Sequence, residues 1–213
     1  MTGRTNLDDR GQAFPVYIVA IVGLLFAALA FFVVGMAGAT RSDAQGAADA
    51  AALAAAREAR DGTFDGTDLS ALKQADWEKI LRGDWLLPKN ACAKAADFAT
   101  SNGASTVECD PHLPEFTVKV ITNAPVGDSV VPGSSEMLGT ATATAVIESR
   151  CSLRPGSVPT VEPSSKPSPG PGDTDAATET TFECDGRQLK LDPSKPGSLT
   201  QLARGLFTVR LVN

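Results

Sequence analysis

The chain has 213 residues and a formal net charge of -6, from 19 Lys and Arg against 25 Asp and Glu. This acidic balance, without any dense basic cluster, excludes the electrostatic footprint of a nucleic-acid-binding protein, so we expect no nucleic-acid partner. The length suits one small domain beside one membrane span, because two full domains need more residues.

The N-terminal region contains one long apolar run. No charged residue lies between Arg10 and Arg41, and residues 14–39 are almost wholly apolar. About 20 apolar residues in a helix cross the hydrocarbon of a bilayer, whereas the apolar region of a cleaved signal peptide has about 7–15. Ala37-Gly38-Ala39 fits a signal-peptidase site, but the length of the run favours a retained single-pass anchor after a short cytoplasmic tail, residues 1–13.

An alanine-rich segment follows the apolar run. Residues 41–60 have high helix propensity, and Gly62 is typical of a helix stop. The sequence therefore predicts one continuous helix within residues 14–62, roughly 70 Å long, whose outer half we expect to stand in water or against partners.

Small side chains recur along this predicted helix and let neighbouring helices approach closely. The candidate positions for helix packing are Gly23, Ala27, Gly35, Ala39, Ala47 and Ala51. The alternative is that glycine and alanine are simply common in membrane helices.

Residues 63–153 show a pattern typical of a small α+β head. Asp68 is predicted to cap a helix that runs to about Arg82, and Asn90 to cap a second helix over residues 91–101. Strands are predicted at residues 104–109, 116–122 and 138–149, and the small side chains of the third favour packing against a helix. The predicted fold class is α+β, with a long N-terminal transmembrane helix followed by an exported head of helices on an antiparallel sheet.

The last third of the chain begins with a segment rich in proline, serine and glycine, residues 154–177. Such a segment cannot bury enough apolar surface to fold, so it is predicted to be a linker or a disordered loop. Short strands at residues 181–184, 188–191 and 206–212, with a helical turn at residues 198–204, make residues 178–213 a β-rich segment that we expect to be part of the head.

Four cysteines, Cys92, Cys109, Cys151 and Cys184, all follow the apolar run. A translocated domain meets an oxidising environment, so two disulfides are expected. Of the three pairings that four cysteines allow, Cys92 with Cys109 and Cys151 with Cys184 close the shorter loops. Because the cysteines are scattered singly and the only histidine is remote from a second ligand, we expect no metal and no cofactor.

The sequence carries no familiar catalytic motif. The nucleophile elbow, the P-loop, the H-E-x-x-H motif and the dinucleotide fingerprint do not occur. The histidine, His112, stands in a proline-flanked segment between two predicted strands, where a surface turn is the expected structure. The chain is therefore not expected to be an enzyme.

Several segments in order resemble one family. Residues 10–13 (RGQA), the apolar run and residues 43–56 (DAQGAADAAALAAA) resemble the N-terminal region of TadE/TadG-like proteins of the tight-adherence (Flp) pilus system. Residues 91–104 with Cys109, and the strands at 116–120 and 141–145, resemble actinobacterial TadE-like minor pilins. Prepilin processing in such proteins usually has glutamate five positions after a glycine, but Val16 stands there after Gly11, so an uncleaved, TadG-like anchor is expected.

The resemblance implies a membrane-anchored, pilin-like structural component of Flp pilus assembly or of the cell envelope. Its partners are then the lipid bilayer and other pilin-like or Tad assembly proteins. The alternative is an anchored binding module whose head recognises wall polymer or an envelope partner, which the Pro-rich segment motivates.

Orientation is not set by the flanking charges, since Arg4 and Arg10 precede the span and Arg41, Arg57 and Arg60 follow it. The cysteines and the short N-terminal tail favour a plasma-membrane protein with a cytoplasmic N-terminus and an extracytoplasmic C-terminal domain.

Overall fold

The computed structural model describes residues 13–125, 136–154 and 179–212, and gives only the backbone of residues 13, 36 and 37. The helices are α1 (Ala13–Asp61), α2 (Gln74–Leu81), α3 (Ala91–Ser101) and α4 (Leu199–Leu206). The strands are β1 (Ala104–His112), β2 (Glu115–Pro125), β3 (Leu138–Ser149), β4 (Cys151–Leu153), β5 (Thr180–Cys184), β6 (Arg187–Leu191) and β7 (Phe207–Val212). This arrangement confirms the predicted α+β fold class.

Two predicted segments lie mainly outside these described ranges. The cytoplasmic tail, residues 1–13, lies outside the described residues except for residue 13. The Pro-rich segment, residues 154–177, lies outside them except for residue 154. This segment is the feature that motivates the binding-module alternative.

The long N-terminal helix is continuous. α1 has 49 residues, which at 1.5 Å per residue makes it roughly 74 Å long. It ends where the backbone N–H of Gly62 donates to the carbonyl of Glu58 and the Thr63 hydroxyl donates to the carbonyl of Arg60, at 3.1 and 2.7 Å. The predicted helix through the apolar run and the alanine-rich segment is confirmed.

Two sheets form the head. The larger has the strand order β1-β2-β3-β7 with antiparallel pairing throughout, and the smaller has the order β4-β5-β6. On β3, Ala143, Ala145 and Ile147 are buried, and this face packs against α1. The prediction that the third strand lies against a helix is therefore confirmed.

The C-terminal strands share the core of the head. β7 pairs with β3, and Phe182 of β5 contacts the ring of Trp77 with centroids 5.1 Å apart. Trp77 also lies 6.0 Å from Phe64, which follows α1. One aromatic cluster thus joins the end of α1, α2 and the smaller sheet.

Both disulfides are present, Cys92–Cys109 and Cys151–Cys184. This is the pairing that closes the shorter loops. The first joins α3 to β1, and the second joins β4 to β5 at a position where the two cysteines face each other across the strand pair.

The predicted helix from Asp68 to Arg82 is divided. The Asp68 carboxylate accepts from the backbone N–H of Ser70 at 3.0 Å, but the helix it caps is a 3-10 turn, Leu69–Ala71. A second start follows at Lys73, whose backbone N–H donates to the Asp76 carboxylate at 3.1 Å. The sequence offers two N-terminal signals five residues apart, and each begins its own helix.

The second predicted cap needs a smaller correction. α3 has the predicted bounds and begins after Asn90, but the Asn90 side chain makes no capping hydrogen bond. Its backbone has a φ of 60°, in the left-handed region that asparagine tolerates better than most residues. Asn90 therefore turns the chain into α3 by its backbone conformation.

Candidate functional site: the N-terminal helix and its junction with the head

The first half of α1 is an exposed apolar surface. Its large side chains from Phe14 to Val34 are mostly exposed, up to 80% at Phe31. The most apolar window of 18 residues has a mean hydropathy of 2.9 and is not covered by any other part of the described chain. Exposed apolar surface on this scale needs a partner, and a bilayer is the solvent that fits a helix of this length.

The second half of α1 is covered by the head. Alanines recur at intervals of three and four residues and form one fully buried face: Ala44, Ala47, Ala48, Ala51, Ala52, Ala55, Ala56 and Ala59. This face packs on the larger sheet and on α3, whose own buried residues are Ala91, Ala95 and Ala99. The expectation that the outer half stands in water or against partners did not include this cover: the chain's own head occupies the alanine face, while Gln45 and Arg57 on the other side are exposed.

The six candidate packing positions therefore divide into two groups. Ala47 and Ala51 lie in the core of the head, where they are buried by the chain's own residues. The other four lie on the exposed half: Gly23, Ala27, Gly35 and Ala39. At 100° per residue, the pair at 23 and 27 and the pair at 35 and 39 are about 120° apart around the helix. The four thus form two small-residue pairs on different faces.

The junction between the two halves is a close contact between α1 and β3. A Cβ atom added to Gly139 would stand 2.7 Å from the carbonyl oxygen of Thr40 and 3.2 Å from the Cβ of Ala44. Only glycine allows β3 to approach the helix this closely. An isolated glycine inside a predicted strand was the signal that could have located this contact.

Thr122 connects β2 to β3 beside this contact. Its hydroxyl accepts from the backbone N–H of Gly139 and donates to the carbonyl of Ala124, both at 2.9 Å. A cavity of about 420 Å³ lies here, lined among others by Thr40, Asp43 and Pro125. The start of the head is thereby fixed to the helix at Thr40, one residue after the apolar run.

Replacing Gly139 with alanine is expected to lower the free energy of unfolding of the head by about 1–2 kcal/mol, because the new methyl group meets a backbone oxygen that cannot move aside. Gly46→Ala is the matched control, since a Cβ there meets nothing within 4 Å. That change should instead raise the stability by roughly 0.5–1 kcal/mol through helix propensity. Denaturant unfolding followed by Trp fluorescence measures both, and equal effects would contradict the close contact.

The far end of α1 is held by an ion pair. Arg204 of α4 donates to the Asp61 carboxylate from Nη2 at 2.7 Å and from Nε at 3.2 and 3.3 Å, and Arg60 donates to it from Nε at 2.8 Å. Partial burial by itself raises the pKa of Asp61, but the hydrogen bonds and charges of Arg204 and Arg60 outweigh it, so the pKa is lowered. The ionised carboxylate is the form that the folded head favours.

A pH-dependent effect follows from this pair. Because the folded-state pKa of Asp61 is below the unfolded value of about 3.9, its contribution is complete well above pH 4 and is lost as the pH falls through the folded pKa. Asp61→Asn is expected to destabilise the head at pH 7 and to converge with the wild type in acid. Arg204→Gln should reduce the same pH dependence, and stability curves that stay parallel down to pH 2 would contradict the assignment.

The remaining candidate chemistry is sparse. Among residues 13–125, 136–154 and 179–212, no group of three His, Cys, Asp or Glu side chains is arranged to hold a metal ion. His112 ends β1 with its ring exposed, and its Nδ1 lies 3.1 Å from a carboxylate oxygen of Asp110. This is a surface pair, remote from the buried core.

Within the described residues, these features define a protein with one helix that can serve as a single-pass membrane anchor, fused without a break to an α+β head. Residues 11–58 match the family model described as putative Flp pilus-assembly TadE/G-like. The match covers nearly the whole of α1 and supports the family that the N-terminal residues resemble, a family of pilus-assembly components. No curated protein and no solved structure matches the chain. The actinobacterial type stays a prediction.

Proposed function

We propose that the chain is a membrane-anchored, pilin-like structural component of Flp pilus assembly or of the cell envelope, and that it contacts its partners through the exposed half of α1. One observation supports this most directly. The family match falls on α1, whose apolar half is exposed along its length, whereas the alanine face of its second half is buried in the head.

Lateral packing inside a bilayer depends on small residues, since lipid tails are as apolar as leucine and provide no hydrophobic driving force between helices. The pairs Gly23/Ala27 and Gly35/Ala39 have the four-residue spacing that such contacts use. A Cβ at Gly23 or Gly35 meets no atom of the described chain within 4 Å, so both backbones are open to a partner. We propose that each pair contacts a different neighbour, a second pilin-like helix or a Tad assembly protein.

The proposed orientation has a cytoplasmic N-terminus and an extracytoplasmic head at the plasma membrane. Its support is the two disulfides in the head, since disulfides persist in oxidising compartments. A Leu87→Cys variant tests it, because this side chain is 60% exposed on the head. A membrane-impermeant maleimide is expected to label it in intact cells, and labelling only after lysis would reverse the orientation.

Cysteine crosslinking tests the packing surface. Single cysteines at positions 20–39 in the full chain, expressed in the native membrane, are expected to crosslink to neighbours with maxima at the two small-residue pairs. A cysteine at Arg57, on the exposed side of the helix within the head, is the matched control and should give none. Uniform crosslinking along the helix would contradict the proposal that neighbours contact α1 at the two small-residue pairs.

Deleting the gene tests the role itself. We expect surface filaments to be lost or altered, with recovery when the wild-type chain is supplied. A strain whose filaments and adhesion are unchanged after deletion would rule out the assembly role.

A further inference from the structure

The direction of the head relative to the membrane follows from two contacts. β3 starts beside the point where the apolar run of α1 ends, because Gly139 lies against Thr40. Its other end lies near the end of α1, because Arg150 after β3 donates its backbone N–H to Leu206 of α4 at 2.9 Å, and α4 also holds Asp61. β3 therefore runs along α1 in the same direction. The lengths agree, at about 34 Å for the strand from Gly139 to Ser149 and about 32 Å for the helix from Thr40 to Asp61.

This geometry gives the head a membrane-proximal end. A strand advances about 3.4 Å per residue, so Leu138 lies on the membrane side of the Gly139 contact and Met137 precedes it. Both side chains are exposed, Met137 at 60% and Leu138 at 43%. Two large apolar side chains are thus exposed at the level where the apolar run of α1 ends.

We propose that the head docks on the bilayer surface through Met137 and Leu138, which enter the interfacial region of the leaflet on the head's side. The inference rests on the proposed single-pass anchor, and continuity with that anchor identifies the lipid surface as the partner. An apolar run of 26 residues is about 39 Å long against a hydrocarbon thickness of about 30 Å, so Thr40 lies within the head-group layer when the run is centred.

Charge at this end selects the kind of lipid surface. Among the described residues, the exposed charged side chains nearest the patch are Glu136 and, on α1, Arg41 and Asp43. In this part of the chain, one positive and two negative groups form no basic patch that would attract anionic lipids. Docking is therefore apolar in origin, and a zwitterionic bilayer is sufficient.

The test compares two fluorescent labels in the full chain. Met137→Cys and Leu87→Cys are each labelled with an environment-sensitive probe, without reduction so that the native disulfides stay closed, and reconstituted into phosphatidylcholine vesicles. Leu87 has the same exposure of 60% but lies beside Glu58 and Gly62. It is about 27 Å farther along α1 than Thr40.

Nitroxide-labelled lipids, with the nitroxide at the head group or just below it, are then added. We expect at least twofold stronger quenching at position 137 than at position 87, with a blue-shifted emission that is insensitive to salt. Equal quenching at both positions would overturn the docking. A blue shift at 137 without quenching would overturn it too, because that result places another protein surface on the patch.

Vesicle flotation at alkaline pH separates this result from the anchor. A chain that floats with the vesicles but shows no quenching at position 137 retains its anchor and lacks the docking contact. A chain that does not float has neither, and the proposed function fails with it.

Discussion

Replacing Trp77 with alanine is expected to lower the free energy of unfolding of the head by about 3–5 kcal/mol, the range for truncating a large buried aromatic side chain. The indole is fully buried between Phe64 and Phe182. Its three-ring cluster joins segments far apart in the chain. The cavity left behind cannot close, because the sheet and α1 fix the surrounding walls.

The loss of stability in Trp77→Ala is expected to come from lost packing of the indole and not from a lost hydrogen bond. Within the described residues, the Trp77 indole N–H has no hydrogen-bond partner. Trp77→Phe keeps an aromatic ring and should therefore recover most of the lost stability. Trp85→Ala is the matched control, because Trp85 is only partly buried at the edge of the same core. Denaturant unfolding of the detergent-solubilised chain, followed by circular dichroism, measures all three, and an equal loss for Trp77→Ala and Trp85→Ala would contradict the central role of the cluster.

Much of the fold was predictable because its signals are local. α3 and β3 have their predicted bounds, since an Asn-Gly pair ends the helix and alternating small residues mark the strand. The continuous α1 was predictable from composition alone. β4 was not predicted, because its three residues have too short a pattern and are ordered by pairing with β5 and by the Cys151–Cys184 disulfide.

Local sequence signals do not show what the alanine face of α1 packs against. A stripe such as Ala47 and Ala51 suits a neighbouring chain's helix or the chain's own sheet equally well, since both need only a close approach. The choice depends on long-range partners, namely α3 with its own alanines and β3 with Gly139. The candidate packing site therefore lies on the apolar half of α1, which carries four of the six predicted positions.

One pair of substitutions separates the two halves of α1. Ala51→Leu is expected to lower the free energy of unfolding of the head by about 3 kcal/mol, because Ala51 is fully buried and three added carbon atoms must displace the sheet or α3. Ala27→Leu makes the same chemical change on the exposed half and should leave the head's stability unchanged. The combined fluorescence of Trp77 and Trp85 during denaturant unfolding reports on both variants.

Crosslinking gives the opposite ranking if the exposed half of α1 is the assembly surface. Ala27→Leu fills the groove that a small residue opens between helices, so it is expected to reduce the crosslink yield at Gly23 several-fold while the head stays folded. A chain that carries Ala27→Leu and still crosslinks and assembles like the wild type would show that the small residues of the span only reflect the composition of membrane helices. In that case α1 would serve as an anchor alone, and the partner-binding surface would have to lie on the head.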